Sequence, residues 1–119
     1  MGAFAATAAA HSADADFLVV YLEEAHPAER CHFTNSFEVR THETLLERLD
    51  AARNLEAAAG VSLPCPVFVD TMENAANVAY AAIPERLYII KEGKVAFVGG
   101  DGPMNYSIPE MEKALRSMI

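Results

Sequence analysis

Short apolar runs, rich in β-branched residues, alternate along the chain with segments that have the periodicity of helices. The first run, residues 17–22, stops abruptly at two glutamates, and a second run follows at residues 66–70. A continuous apolar run of this length is typical of a parallel strand that is buried on both faces. The alternation therefore predicts an α/β fold in which helices cover a sheet.

Capping patterns mark where the predicted helices begin. Thr44 and Glu47 form a capping box for a helix that Gly60 ends, and its apolar face repeats at Leu45, Leu49 and Ala52. Asp70 or Thr71 is expected to cap a third helix at residues 72–81, after an alanine-rich first helix at residues 3–12.

The C-terminal third has the pattern of a hairpin followed by a helix. Apolar residues 87–90 and 95–98 flank a turn in which Gly93 supplies a positive φ, and Ser107 with Glu110 caps the closing helix. The element order predicts a thioredoxin-like three-layer α/β sandwich, whose central mixed sheet is closed by the antiparallel hairpin and the C-terminal helix. That fold normally begins with a strand and a redox helix. Since the first predicted element of this chain is a helix, we expect the first strand to be missing and residues 1–13 to be a remnant of the redox helix.

Composition excludes several classes of protein. The 119 residues suit a single domain, and 17 acidic residues against 9 basic ones, with no Lys/Arg cluster, make nucleic acid and membrane surfaces poor partners. Two cysteines are too few for a disulfide scaffold and favour a reducing, cytoplasmic location. The apolar opening is too short for a membrane segment, and the spacing of the histidines and cysteines predicts no metal site.

Four stretches, in this order and spacing, together resemble the iodothyronine deiodinase family. They are FLVVYLEEAHP at residues 17–27, CPVFVDTM at residues 65–72, PERLYII at residues 84–90 and GGDGP at residues 99–103. The resemblance implies reductive dehalogenation of a small iodinated aromatic substrate, an iodinated phenol, in thyroid hormone metabolism. An external thiol is then the reductant, no cofactor is bound, and a selenocysteine or cysteine nucleophile is expected just upstream of Met1. Residues 27–43 then correspond to a family-type insertion.

The resemblance assigns acid–base chemistry to the end of the first strand. His26 matches the histidine of the family that exchanges a proton with the substrate, and imidazole titrates near neutral pH. Glu24 lies two residues earlier, so in an extended chain it shares a face with His26 and can orient the ring or relay its proton. The alternative is a surface histidine beside a solvated strand end.

Two further residues match substrate-binding positions of the family. His42 corresponds to a histidine of the substrate pocket, although a histidine before a helix is also common on a surface. Arg86 corresponds to an arginine that holds the carboxylate or phenolate end of the substrate. Its alternative is an edge-strand arginine paired with Glu85 or Glu92.

Pro84 and Cys65 complete the candidate site. Pro84 matches the cis-proline of thioredoxin-like proteins and is expected to shape the pocket. Cys65 matches a position proposed to resolve an oxidised selenium intermediate, and the alternative is a small buried structural cysteine. Cys31 is given no role.

Two other functions stay open at this point: a peroxiredoxin-like thiol peroxidase or oxidoreductase, and a nonenzymatic thioredoxin-like module. Since no residue of the chain lies at the N-terminus of a redox helix, we expect the chain alone to be inactive. A missing first strand would leave a sheet edge unpaired, which invites aggregation or a homodimer.

Overall fold

The computed structural model describes residues 1–23 and 41–119. Its elements, in chain order, are α1 (Gly2–Ala10), β1 (Val19–Tyr21), α2 (Leu45–Arg53), α3 (Leu55–Ala59), β2 (Val67–Val69), α4 (Ala75–Tyr80), β3 (Tyr88–Lys91), β4 (Lys94–Val98) and α5 (Ile108–Met118). The predicted α/β class is confirmed. The helix predicted between Thr44 and Gly60 divides in two at Asn54, and Gly60 ends it with a φ of 69°, as its position suggested.

The strands form two ladders in the described part of the chain. β1 pairs with β2 in parallel, with Val19 opposite Val67 and Tyr21 opposite Val69, and β3 pairs with β4 antiparallel. No ladder joins the two pairs within residues 1–23 and 41–119. A single mixed sheet closed by the hairpin therefore stays a prediction.

One apolar core connects both ladders with the first and last helices. Its buried members are Phe4, Leu63, Leu87, Ile108 and Met111. Val19 and Val67 pack against them from the inner face of the β1–β2 ladder, and Ile89 and Phe97 do so from the hairpin. Because burial of such a side chain stabilises a fold by about 1.5–3 kcal/mol, this shared core holds the two ladders together.

The outer face of the β1–β2 ladder carries exposed apolar side chains, which we call the outer row: Leu18, Val20 and Phe68. Their exposed fractions are 54%, 37% and 55%. The expectation that residues 17–22 are buried on both faces is therefore wrong. Side chains alternate between the faces of a strand, and the described core covers only the face that carries Val19 and Val67.

Local signals correctly marked the hairpin turn and the first residues of α2 and α5. Glu92 and Gly93, at φ values of 54° and 76°, form the predicted tight turn of the hairpin. The Thr44 hydroxyl accepts the Glu47 N–H at 3.2 Å, while the Glu47 carboxylate accepts the N–H of Glu43 and not that of Thr44. The Ser107 hydroxyl caps α5 in the same way.

The glycine-rich segment after β4 continues the hairpin pairing beside residues 84–87. The N–H of Gly99 bonds to the Leu87 carbonyl at 2.8 Å, and that of Gly102 bonds to the Glu85 carbonyl at 2.9 Å. Gly100 lies between them, against Asn105, where a Cβ would stand 2.5 Å from the Asn105 Cβ and 2.6 Å from its carbonyl oxygen. Only glycine fits this close approach.

Gly100→Ala is accordingly expected to lower the free energy of unfolding by about 1–3 kcal/mol, the usual cost of overpacking. Urea unfolding followed by circular dichroism measures the change. Gly2→Ala is the control, since its nearest contact would be Val61 at 3.8 Å, and we expect a change within about 0.5 kcal/mol. Equal losses in both variants would contradict the steric explanation.

Candidate functional site

Aromatic and charged side chains meet where β1 and β2 end. Tyr21 is the last residue of β1 and Asp70 directly follows β2, so parallel pairing brings them to the same edge. The His42 ring lies 5.8 Å from the Tyr21 ring at an interplanar angle of 34°. Arg48 reaches this edge from α2 and bonds to His42. We call Tyr21, His42, Arg48 and Asp70 the Arg48 cluster.

Arg48 is the most buried member of the cluster, with 2% of its surface exposed. Its Nε donates to His42 Nδ1 at 3.1 Å, and its Nη1 donates to the Thr71 carbonyl at 2.7 Å and to Asn74 Oδ1 at 3.1 Å. A buried guanidinium is tolerated only where acceptors and a counter-charge replace water. The segment that follows β2 supplies both.

Asp70, 3% exposed, is the counter-charge. Its carboxylate accepts the N–H groups of Thr71 and Ala76 at 2.8 Å and of Asn77 at 2.9 Å. The helix predicted at residues 72–81 in fact begins at Ala75 after the N-cap residue Asn74, so Asp70 binds the first turn of α4 without being its N-cap. Burial by itself would raise the pKa of Asp70, but these N–H groups and the Arg48 charge together hold it below its ordinary value. The carboxylate is therefore ionised at neutral pH.

The lowered pKa predicts how stability depends on pH. An aspartate with a folded-state pKa below its ordinary value of about 3.9 stabilises the fold fully above that value, and this contribution is lost as the pH falls through the folded-state pKa. Urea unfolding between pH 7 and pH 3, as a rough range around that value, should show this acid loss in the wild type and a flatter profile in Asp70→Asn. Parallel profiles would exclude Asp70 as the cause.

Asn77 connects the end of β1 with the segment that leads to Arg86. Its Nδ2 donates to Glu23 Oε1 at 3.1 Å, and its Oδ1 accepts the N–H of Ile83 at 3.1 Å. The Ile83–Pro84 peptide bond that follows is cis, in agreement with the expected geometry. The pocket-shaping role of Pro84 stays a prediction.

Arg86 is half-buried, and backbone carbonyl groups hold it. Its Nε donates to the Gly99 carbonyl at 2.8 Å and its Nη1 to the Ala81 carbonyl at 3.2 Å, while its guanidinium lies 5.6 Å from the centre of the Tyr88 ring. Within the described residues, neither Glu85 nor Glu92 forms an ion pair with it, so that alternative is wrong. The side chain is fixed, and its Nη2 has no hydrogen-bond partner in these ranges.

Cys65 lies away from the Arg48 cluster. It precedes β2 and packs against the core, whereas Asp70 follows β2, and the five residue steps of extended chain between them span about 16 Å. Burial, and to a smaller degree the charge of Glu56, raises the pKa of the Cys65 thiol. The thiol is thus protonated at neutral pH, and its role as a resolving cysteine stays a prediction.

Glu24 and His26 lie outside the described residues, as does Cys31. The acid–base roles of Glu24 and His26 therefore stay predictions. His42, 6% exposed, is part of a buried cluster and not of an open surface.

Sequence reasoning missed Arg48, although a signal was present. Arg48 follows Leu45 by three residues and precedes Ala52 by four, so it belongs to the helical face that was expected to be apolar. Leu45 is in fact 46% exposed, and Arg48 takes the buried position. A charged residue inside an apolar stripe indicates a buried polar network.

The described ranges contain neither a cluster of metal ligands nor a membrane-spanning helix. There, no group of three or more His, Cys, Asp or Glu side chains is arranged to hold a metal ion. None of the helices described is long and apolar enough to cross a membrane.

Comparison with known proteins gives a consistent result. A family model described as iodothyronine deiodinase matches residues 1–118. Thyroxine 5-deiodinase of Aquarana catesbeiana is 48% identical over 85% of the chain and 37% of its own length. Type I iodothyronine deiodinase of Xenopus laevis is 43% identical over 82% of the chain and 37% of its own length. Type II iodothyronine deiodinase of Petromyzon marinus is 41% identical over 87% of the chain and 36% of its own length. The chain thus spans little more than a third of the length of these relatives.

Proposed function

This chain belongs to the iodothyronine deiodinase family, and we propose that it supplies the substrate-binding part of a reductive deiodinase with a thioredoxin-like fold. The substrate is an iodinated phenol of the iodothyronine class. The observation that carries the proposal is the Arg48 cluster, in which His42, held by a buried arginine, lies beside the Tyr21 ring. A tyrosine ring beside a fixed imidazole suits an aromatic ligand with a phenolic oxygen.

Reductive deiodination replaces iodine on the ring with hydrogen. A selenolate or thiolate attacks the iodine and the carbon–iodine bond breaks, while the ring carbon takes a proton. The iodine is then bonded to the selenium or sulfur of the nucleophile. A first external thiol displaces it as iodide and forms a mixed sulfide with the nucleophile. A second thiol attacks this mixed sulfide, which releases the nucleophile and a disulfide, so two thiols are oxidised for each iodide released. We assign the proton exchange to His26 with Glu24, the phenolic oxygen to His42, and the carboxylate or phenolate end to Arg86.

The nucleophile we propose is a selenocysteine or cysteine encoded before Met1. The raised pKa of Cys65 and its distance from the Arg48 cluster support this assignment, because an attacking group must be deprotonated and close to the substrate. An in-frame UGA or cysteine codon shortly before Met1 is the expected finding. Its absence would eliminate the assignment.

Activity tests the proposal against its two alternatives. The protein with its upstream segment restored is incubated with thyroxine and dithiothreitol, and iodide release is compared with peroxide consumption. Iodide release that depends on His42 supports the deiodinase. Peroxide turnover without iodide would favour a thiol peroxidase, and neither activity would favour a nonenzymatic module.

We also propose a cytoplasmic homodimer that buries the outer row. Phe68→Ser should shift the protein towards the monomer in sedimentation equilibrium while changing the free energy of unfolding by less than about 1 kcal/mol, because Phe68 is already 55% exposed. Leu46→Ser on α2 is the control, since Leu46 is 71% exposed and lies outside the outer row. An unchanged association constant in Phe68→Ser would argue against this interface.

A further inference from the structure

We propose that Arg48 is a positioning residue that holds the His42 ring in one orientation and in one tautomer, with its proton on Nε2. The inference concerns a residue that neither the motifs nor the proposed reaction assigns. Its consequence for substrate binding rests on the proposed function, but the state of the ring does not.

The tautomer follows from the hydrogen bond between Arg48 and His42. A guanidinium carries only donors and keeps its charge at all ordinary pH values, so His42 Nδ1, 3.1 Å from Arg48 Nε, must be the acceptor. An imidazole that accepts at Nδ1 carries its single proton on Nε2. Nε2 is then a donor, the form that a phenolate or phenolic oxygen requires.

The orientation follows from the anchoring of Arg48 itself. Its Nη1 bonds to the Thr71 carbonyl and to Asn74 Oδ1, both in the segment between β2 and α4. With 2% of its surface exposed, the side chain has no room for another rotamer. Arg48 therefore transmits the position of this segment to His42, and the Tyr21 ring limits the imidazole from another side.

A purely structural role would use part of the same contacts. The bonds of Nη1 alone join α2 to the segment after β2, and such a role would not depend on which nitrogen of His42 carries a proton. Arg48→Met removes every donor, whereas Arg48→Lys keeps the charge but cannot bond to His42 and the Thr71 carbonyl in the same forked geometry. The tautomer of the His42 ring therefore distinguishes a positioning role of Arg48 from a purely structural one.

Nitrogen NMR of the 119-residue protein, labelled with ¹⁵N-histidine, reads that state directly. In the wild type at neutral pH we expect His42 Nδ1 to be unprotonated and Nε2 to carry the proton. In Arg48→Met and Arg48→Lys, the ratio of Nε2–H to Nδ1–H forms should fall roughly tenfold, the factor expected for loss of one charge-assisted hydrogen bond. Arg53→Lys on the exposed face of α2 should leave the ratio unchanged.

Several outcomes would overturn the inference. A wild-type His42 that carries its proton on Nδ1 or on both nitrogens contradicts it, even if no Arg48 variant folds. A folded Arg48→Met or Arg48→Lys protein with the wild-type ratio contradicts it as well.

Thyroxine titrations keep this inference separate from the proposed function. If the proposed function holds, the folded Arg48 variants should bind thyroxine roughly tenfold more weakly than the wild type. If wild-type protein with its upstream segment neither binds thyroxine nor releases iodide, the proposed function fails, while the NMR result still decides the role of Arg48.

Discussion

Asp70→Ala is expected to lower the free energy of unfolding by about 3–5 kcal/mol, because each N–H group that loses its acceptor away from water costs about 1–3 kcal/mol. The change leaves three partly buried N–H groups without an acceptor and removes the negative charge that faces Arg48. Because small domains are stable by only about 5–15 kcal/mol, this loss is a large part of the total. Urea unfolding at pH 7 measures it.

The matched control for Asp70→Ala is Asp50→Ala. Asp50 pairs with Arg53 on α2 at 2.8 Å, but both side chains are about 70% exposed, so we expect a loss of no more than about 1 kcal/mol. The cap and the counter-charge are the cause only if Asp70→Ala is much the more destabilising of the two. Similar losses would mean that Asp70 contributes no more than a surface charge.

The resemblance lay in four short stretches, and the fold brings them together as two neighbouring pairs. Residues 19–21 and 67–69 form the parallel ladder, and residues 85–87 lie beside Gly99 and Gly102. Strands, turns and caps were predictable because each depends on residues close in sequence: Gly93 sets a turn, and Thr44 and Ser107 cap helices. The exposure of the outer row was not predictable, because the alternation of side chains along a strand does not show whether a second layer covers that face.

For the candidate site, too, some features were predictable from the sequence and others were not. His42 and Arg86 came from the resemblance, and their contacts could not have been read from the sequence. Arg48 is buried because the Asp70 and Thr71 carbonyl groups and the Asn74 side chain accept its hydrogen bonds, and these residues follow it by more than twenty positions. Helical periodicity placed Arg48 on the predicted inner face of α2 but could not show that the neighbours of this face are hydrogen-bond acceptors.

Arg86→Met should weaken thyroxine binding by roughly 10- to 100-fold, the effect of losing a hydrogen bond between a charged donor and an anionic oxygen. The Gly99 and Ala81 carbonyls already hold Nε and Nη1, so Nη2 is the nitrogen we expect to meet the ligand. Arg86→Lys should not restore binding, because one ammonium cannot keep both carbonyls and also reach the ligand. Isothermal titration calorimetry with thyroxine measures both variants.

The control for Arg86 is Arg116→Met on α5, which removes an arginine that is 67% exposed and pairs with Glu112. Arg86→Met and Arg116→Met lower the net charge equally, so a general loss of positive charge would weaken thyroxine binding to the same extent in each. A loss confined to the Arg86 variants, with unchanged circular dichroism, identifies a directed contact. Full binding by Arg86→Lys would instead mean that Arg86 contributes only its positive charge, because lysine cannot reproduce the geometry of a guanidinium that two carbonyl groups hold.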